Sequence, residues 1–201
     1  MTAPDRYTPE EYLALERNAE FRSEYIAGRV VPKAPGETRP HNLIVTALVS
    51  ELHGYLIERP GEVYCSRQRV KVSASGDYLY PDVVVSCNPL FEDSTSDTLL
   101  NPELIVEVLS EASEGYDRGK KFACCRRIDS LQEFVFISEK KPLVEQYVRQ
   151  GDVWRFIPTD NIDAAMNLAS VDLRIPLLRI YRKALMPTRR RMDGFRDDPE
   201  T

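Results

Sequence analysis

Three residues, Asp82, Glu107 and Lys121, have the types and settings that metal-assisted chemistry needs. Asp82 follows Pro81 in "YLYPDVVVSC" and opens a run of three valines, Val83, Val84 and Val85. That composition reads as one buried strand over 78–87, with an acid at its mouth. Glu107 interrupts a second apolar run, "ELIVEVLS", between Val106 and Val108. Lys121 comes four residues after Asp117 in a stretch with helical signals, so the two share a side. A carboxylate in a buried strand is costly unless it is paired or binds a metal. Two carboxylates on neighbouring strands raise each other's pKa unless a cation lies between them. Oxygen ligands without His or Cys beside them point to Mg²⁺. Each residue alone also has an ordinary reading, as a solvated strand end, an outward-facing glutamate and a surface lysine. It is their order on strand, strand and helix that favours a site.

The surrounding chain supplies the elements to position them. Thr8, Pro9 and Glu11 predict a helix over 8–18, with an N-cap, Pro at the first position and an acid at the third. Gly28 lies between two short apolar runs and predicts a hairpin. "KAPGETRP" reads as a loop, and a second helix is expected from about His41, with Ile44, Ala47, Leu48, Leu52, Tyr55 and Leu56 on one face. Strands are expected at 62–65, 68–72 and 80–85, then a polar loop, then the strand holding Glu107. A helix over 113–127 precedes three more strands, the last two joined at Gly151 and Asp152. A short helix around 177–185 and a charged tail end the chain. This is an α/β pattern, a central mixed sheet flanked by helices. It is read as one domain over 1–185 with a charged tail over 186–201.

Composition narrows the class. The chain has 201 residues, 42% apolar and 29% charged, ordinary proportions for a globular protein. Its longest apolar runs fall far short of the roughly 20 residues of a membrane helix. Acids stand where a secretion signal would need an apolar stretch, so the expected location is cytoplasmic. The four cysteines include no C-x-x-C pair, and His41 and His53 have no Cys nearby, so the usual zinc spacings are absent. The cysteines are expected to be small buried thiols. A net charge of -5 argues against nucleic-acid binding by bulk attraction. Yet an acidic stretch over 88–117 abuts "RGKKFACCRR", which carries five basic residues and no acid.

"YPDVVV", "NPELIVEVLS", "YDRGKKFACCRR" and "SLQEFVFI", in that order, resemble the Uma-type restriction endonuclease family of the PD-(D/E)XK nuclease superfamily. The likeness extends to "EEYLALE", "SEYIAGRVV" and "PHNLIVTALVSELHGYL", and spans about 8–181. It implies a restriction-endonuclease-like core that cleaves DNA with Mg²⁺, with Mn²⁺ as a substitute. Asp82, Glu107 and the backbone carbonyl of Val108 would hold the metal, with Glu24 joining directly or through water. Lys121 would act as the catalytic lysine. In the parent pattern that lysine falls two residues after the second acid, where this chain has Leu109; in this family it lies on the helix. The chain departs from the family at Ala27, where Asp is common, at Lys120, where an acid is common, and at Cys125, where an aromatic is common. The adjacent Lys120 competes for the lysine role, though spacing from Asp117 favours Lys121. Arg118, Arg126 and Arg127 are candidates for flanking phosphates, and His41 for substrate. Duplex cleavage needs two sites, which makes a homodimer the natural assembly. The alternative is a non-catalytic nuclease-fold protein that binds DNA or acts as an accessory. DNA target, pathway and the choice between DNA and RNA stay open.

Overall fold

The computed structural model describes residues 6–33, 38–72 and 76–186; the expected tail, apart from Met186, lies outside them. Helix α1 (Pro9–Arg17) starts at a reciprocal cap: Thr8 Oγ accepts from the Glu11 amide, and the Glu11 carboxylate accepts from the Thr8 amide. Strands β1 (Ser23–Ile26) and β2 (Arg29–Pro32) form the expected hairpin. It turns on Ala27 and Gly28, both at positive φ, 51° and 83°. Helix α2 (Arg39–Leu56) begins slightly earlier than expected, because Thr38 caps it and Pro40 fits its first turn. Ile44, Leu48, Leu52 and Leu56, spaced by four, form its buried stripe. Strands β3 (Glu62–Cys65) and β4 (Arg69–Val72) follow as the sequence suggests.

The stretch 78–87 is not one strand. It contributes to β5 (Asp77–Leu79) and β6 (Val83–Ser86), which belong to different sheets. Pro81 lacks an amide donor and restricts Tyr80 before it, so the ladder breaks there. Asp82 therefore sits in the link between two sheets, just ahead of β6. A two-residue strand, β7 (Thr98–Leu99), lies within the expected polar loop, and β8 (Leu104–Leu109) carries Glu107. The helix expected over 113–127 is divided into α3 (Glu114–Tyr116), a π-helical turn over Asp117–Lys121, and α4 (Phe122–Cys125). Strands β9 (Glu133–Ser138), β10 (Val144–Gln150) and β11 (Val153–Thr159) follow. The sequence reading missed the hairpin of β12 (Ala165–Leu168) and β13 (Leu173–Pro176), whose apolar residues alternate too briefly to stand out. Helix α5 (Leu177–Tyr181) is shorter than expected.

Where one central sheet is expected, the chain builds two large sheets and the small hairpin. One large sheet runs β2-β1-β5-β4-β7 and the other β11-β10-β9-β8-β6-β3. Strands β8 and β9 are parallel, and the helical segment 114–125 is their crossover. Alternation along β6 and β8 sends residues to two cores. Val83, Val85, Leu104, Val106 and Val108 pack with α2, α5 and the β12–β13 hairpin. Val84, Ile105 and Leu109 pack with α4 and strands of the other sheet. By the same alternation Glu107 falls on this second side. Val83 pairs with Val106 in the antiparallel β6–β8 ladder, so one further step sets Asp82 opposite Glu107. Residues directly opposite share a face.

Candidate active site

Asp82, Glu107, Lys121 and Glu24 come from four separate segments and meet beside this sheet edge. All four are at most 4% exposed. Asp82 is the most tightly held. Its Oδ2 accepts from the Val108 amide at 2.9 Å and pairs with His41 Nε2 at 3.0 Å, while Lys33 Nζ lies 3.2 Å from Oδ1. The side chain thus takes over a backbone partner at the end of the β6–β8 ladder. Burial alone would raise its pKa. The His41 hydrogen bond and the charges of Lys33 and Lys121 outweigh that, and hold the carboxyl below the usual carboxylate range.

Glu107 meets the opposite fate. Burial pushes its pKa well above the usual range, Lys121 opposes this, and Asp82 and Asp117 add to it. Its Oε1 is wholly buried and receives no hydrogen bond of good geometry, although Lys121 Nζ is only 2.7 Å away. The contact is Coulombic.

Lys121 closes the π-helical turn. The Phe122 amide reaches back five residues to the Asp117 carbonyl, the hydrogen bond that defines such a turn. The ammonium lies 3.0 Å from Glu24 Oε1 and 3.9 Å from Asp117 Oδ1, and donates to the Tyr80 carbonyl at 3.2 Å. Burial alone would depress its pKa, but Glu107, Glu24, Asp117 and Asp82 together raise it well above the ordinary lysine value. The lysine is therefore charged. Glu24 reaches this group from β1. Its Oε1 also accepts from the Tyr80 amide at 2.9 Å, and its Oε2 accepts from the Tyr116 hydroxyl.

A cavity of about 530 Å³ opens on these residues, walled by the end of β2, the start of α2, the segments after β8 and β9, and the end of α3. Among the described residues six carboxylates line it: Glu111 pairs with Lys140 at 2.7 Å and Glu139 accepts from the Thr38 hydroxyl, while Glu24, Asp82, Glu107 and Asp117 cluster about the ammonium groups of Lys33 and Lys121. Within that cluster the four carboxylates outnumber the two ammonium groups by two when all are ionised, and Glu107 Oε1 lacks a donor. That donor set fits one hard divalent cation. Among the described residues, no three His, Cys, Asp or Glu side chains are gathered tightly enough to form a metal cluster.

Residues 9–176 match the sequence model of the family described as "Uma2: Putative restriction endonuclease". The chain belongs to the Uma2 family. Two relatives are proteins of Synechocystis sp. (strain ATCC 27184 / PCC 6803 / Kazusa). One, "Uncharacterized protein sll1609", is 37% identical over 146 residues, covering 72% of this chain and 82% of the relative. The other, "Uncharacterized protein slr1290", is 29% identical over 177 residues, covering 88% and 92%. A crystal structure described as a putative nuclease belonging to DUF820 from Anabaena variabilis ATCC 29413 superposes with a TM-score of 0.72. At 21% identity, over 89% of this chain and 99% of that one, it shows a shared fold.

In this Uma2 chain the predicted side chains of Asp82, Glu107, Lys121 and Glu24 are brought together, and Lys120 is exposed. For Val108, the group tied to the site is the amide, which donates to Asp82. Arg118 pairs with Glu114 at 2.8 Å and with Glu145, and so braces the helical segment. The sequence reading missed Lys33 and Tyr116. Nothing local marks either one, because Lys33 meets Asp82 across 49 positions of chain and Tyr116 meets Glu24 across 92. The four cysteines are free; Cys124 and Cys125 are buried as expected, whereas Cys65 is exposed and Cys87 is half-buried.

Proposed function

We propose that the chain is a Mg²⁺-dependent endonuclease that hydrolyses DNA phosphodiester bonds. The observation that carries this reading is the buried cluster of Asp82, Glu107, Glu24 and Asp117 about only two ammonium groups, with the charged Lys121 set between Glu107 and Glu24. Asp82 and Glu107 would hold Mg²⁺, or Mn²⁺ in its place, with the Val108 carbonyl and with Glu24 directly or through water. When bound, the ion supplies Lewis-acid neutralisation of the scissile phosphate and a water of lowered pKa. The chain's own part is positioning and charge. Val108 and His41 fix the Asp82 carboxylate, and Glu24 and Tyr80 aim the Lys121 ammonium. Lys121 stabilises negative charge developing on the phosphorus oxygens or orients the attacking water. Burial of both carboxylates strengthens each of these interactions relative to water.

The net charge of -5 means that DNA affinity must come from local cations and the bound ion. Cleavage of both strands requires two passes or two copies, and a homodimer would supply the second copy. The test is nicking of supercoiled plasmid by purified protein with Mg²⁺, Mn²⁺ or EDTA, alongside Asp82→Ala. Ion-dependent nicking by the wild type alone supports an endonuclease. Duplex binding without nicking in any ion would assign the non-catalytic role instead.

A further inference from the structure

Lys33 sits just past β2, where its amide donates to the Arg22 carbonyl at 2.9 Å and extends the β1–β2 ladder. Its backbone is thus fixed, while its side chain lines the cavity. The ammonium is 3.2 Å from Asp82 Oδ1 and 3.0 Å from the Tyr80 carbonyl oxygen. Lys121 donates to that same carbonyl, so two lysines converge on the Tyr80–Asp82 link. They differ in freedom. The Lys33 side chain is 23% exposed, whereas those of Lys121 and His41 are 3% and 6% exposed. Lys121 is surrounded by Glu24, Glu107 and Asp117, whereas the more exposed Lys33 contacts, among the described residues, a single carboxylate, Asp82.

On the nuclease reading, a divalent cation must take Asp82 from its present partners. An ammonium in contact with the same carboxylate then opposes the ion by direct repulsion. Lys121 cannot leave without abandoning three carboxylates. Lys33 can, because its four-carbon stem carries a compact charge with three donors out toward solvent. The charge freed in this way faces a substrate that brings its own anions. We propose that Lys33 is a displaceable phosphate-binding residue, which occupies Asp82 in the metal-free chain and moves onto a nucleic-acid phosphate once a divalent cation takes its place. This rests on the nuclease reading, and assigns to one side chain both competition with metal and attraction of substrate.

The two roles predict opposite responses in one variant. Full-length wild type, Lys33→Met and Lys33→Arg are compared for Mg²⁺ binding by calorimetry without nucleic acid, and for duplex DNA binding by fluorescence anisotropy in Ca²⁺. Lys33→Met should bind Mg²⁺ about fivefold more tightly, since a competing charge is gone. Its duplex affinity should fall about fivefold, and its salt dependence should lose about one phosphate contact. Lys33→Arg should recover duplex binding, which shows that charge rather than folding is at issue. A merely structural lysine would weaken both affinities together. Unchanged or weaker Mg²⁺ binding by Lys33→Met, or unchanged duplex binding, overturns the proposal. A wild type that binds both ion and duplex, matched in both by Lys33→Met, sinks the Lys33 role alone. A wild type that binds neither sinks the nuclease reading, and this one with it.

Discussion

Asp82 and Glu107 face each other where the β6–β8 ladder ends, yet their charges are treated in opposite ways. Asp82 has an amide donor, His41 and Lys33, and its pKa is lowered; Glu107 has one shared ammonium, and its pKa is raised. Stability from Asp82 is therefore complete above the unfolded value, near about 4, and is lost as pH falls through the lower folded value. Glu107 works in reverse: its folded pKa is the higher, so the folded chain loses stability as pH rises from the unfolded value through the folded one. Asp82→Asn should consequently lower the thermal midpoint of the metal-free protein, against the expectation from carboxylate repulsion alone. Glu107→Gln should leave it unchanged or raise it at neutral pH. A thermal scan of both variants at pH 7.5 in EDTA checks the signs, and a higher midpoint for Asp82→Asn would contradict this assignment. Lys121→Ala strips the shared ammonium from three carboxylates, and should cost about 3 kcal/mol or more in chemical denaturation. Its cleavage, measured where the variant is still folded in saturating Mg²⁺, should fall by about 100-fold or more. The exposed Lys120→Ala should stay within about 0.5 kcal/mol of wild type. Equal losses from the two lysines would mean that Lys121 has no special place. Asp82, Glu107 and Lys121 were legible because charge within an apolar or helical pattern stands out. Lys33 was not, since its partner is set by folding alone.

The elements decide how accurately these side chains are presented. Lys121 ends a π-helical turn, and the extra residue in that turn sets which way its side chain leaves the helix. Nothing in "DRGKKF" marks this, because the same residues suit an α-helix and only packing against the sheet selects the wider turn. Pro81, by contrast, was visible, but its consequence was misread. It divides the apolar run between two sheets, and this is what frees the Tyr80 amide for Glu24 and its carbonyl for both lysines. Glu24 depends on the β1–β2 hairpin, whose turn puts Ala27 at φ 51°. A non-glycine residue without a polar side chain is strained there, whereas Asn is favoured at this place in a two-residue turn. Asn also avoids setting a second carboxylate beside Asp77, which accepts from the Ala27 amide. Ala27→Asn should therefore add about 0.5–1 kcal/mol of stability, with Glu24 and metal affinity undisturbed. Urea unfolding measures it, and a loss of stability would show that the turn is not under strain. At the other margin, β11 is an edge strand, and Pro158 within it lacks an amide hydrogen that could pair with a further strand.

At the scale of the whole molecule, the site is a store of unfavourable charge that the two cores must hold in place. The apolar face of α2 and the apolar strand runs were readable, but the division into two large sheets was not, because a buried run of valines does not say which neighbour it pairs with. What the fold presents is a cluster in which four carboxylates face two ammonium groups, two positive charges short when all are ionised, with Glu107 inclined to keep a proton. A divalent cation would supply both charges and displace that proton, so its affinity should weaken as pH falls into the range where Glu107 is protonated. Binding to the folded chain alone raises global stability. At a concentration of 100 times Kd the gain is about 2.7 kcal/mol, or about 5–10 °C in midpoint for a chain of this size. Thermal unfolding with and without Mg²⁺ across pH 5–8 should show an increment that is largest at the alkaline end and shrinks toward the acidic end. In Glu107→Gln the increment should be small at every pH, since the ligand and its proton competition go together. No described helix is long and apolar enough to cross a membrane. A wild-type midpoint that ignores Mg²⁺ throughout would mean that the excess charge is balanced in some other way, and the metal-dependent reading would fail with it.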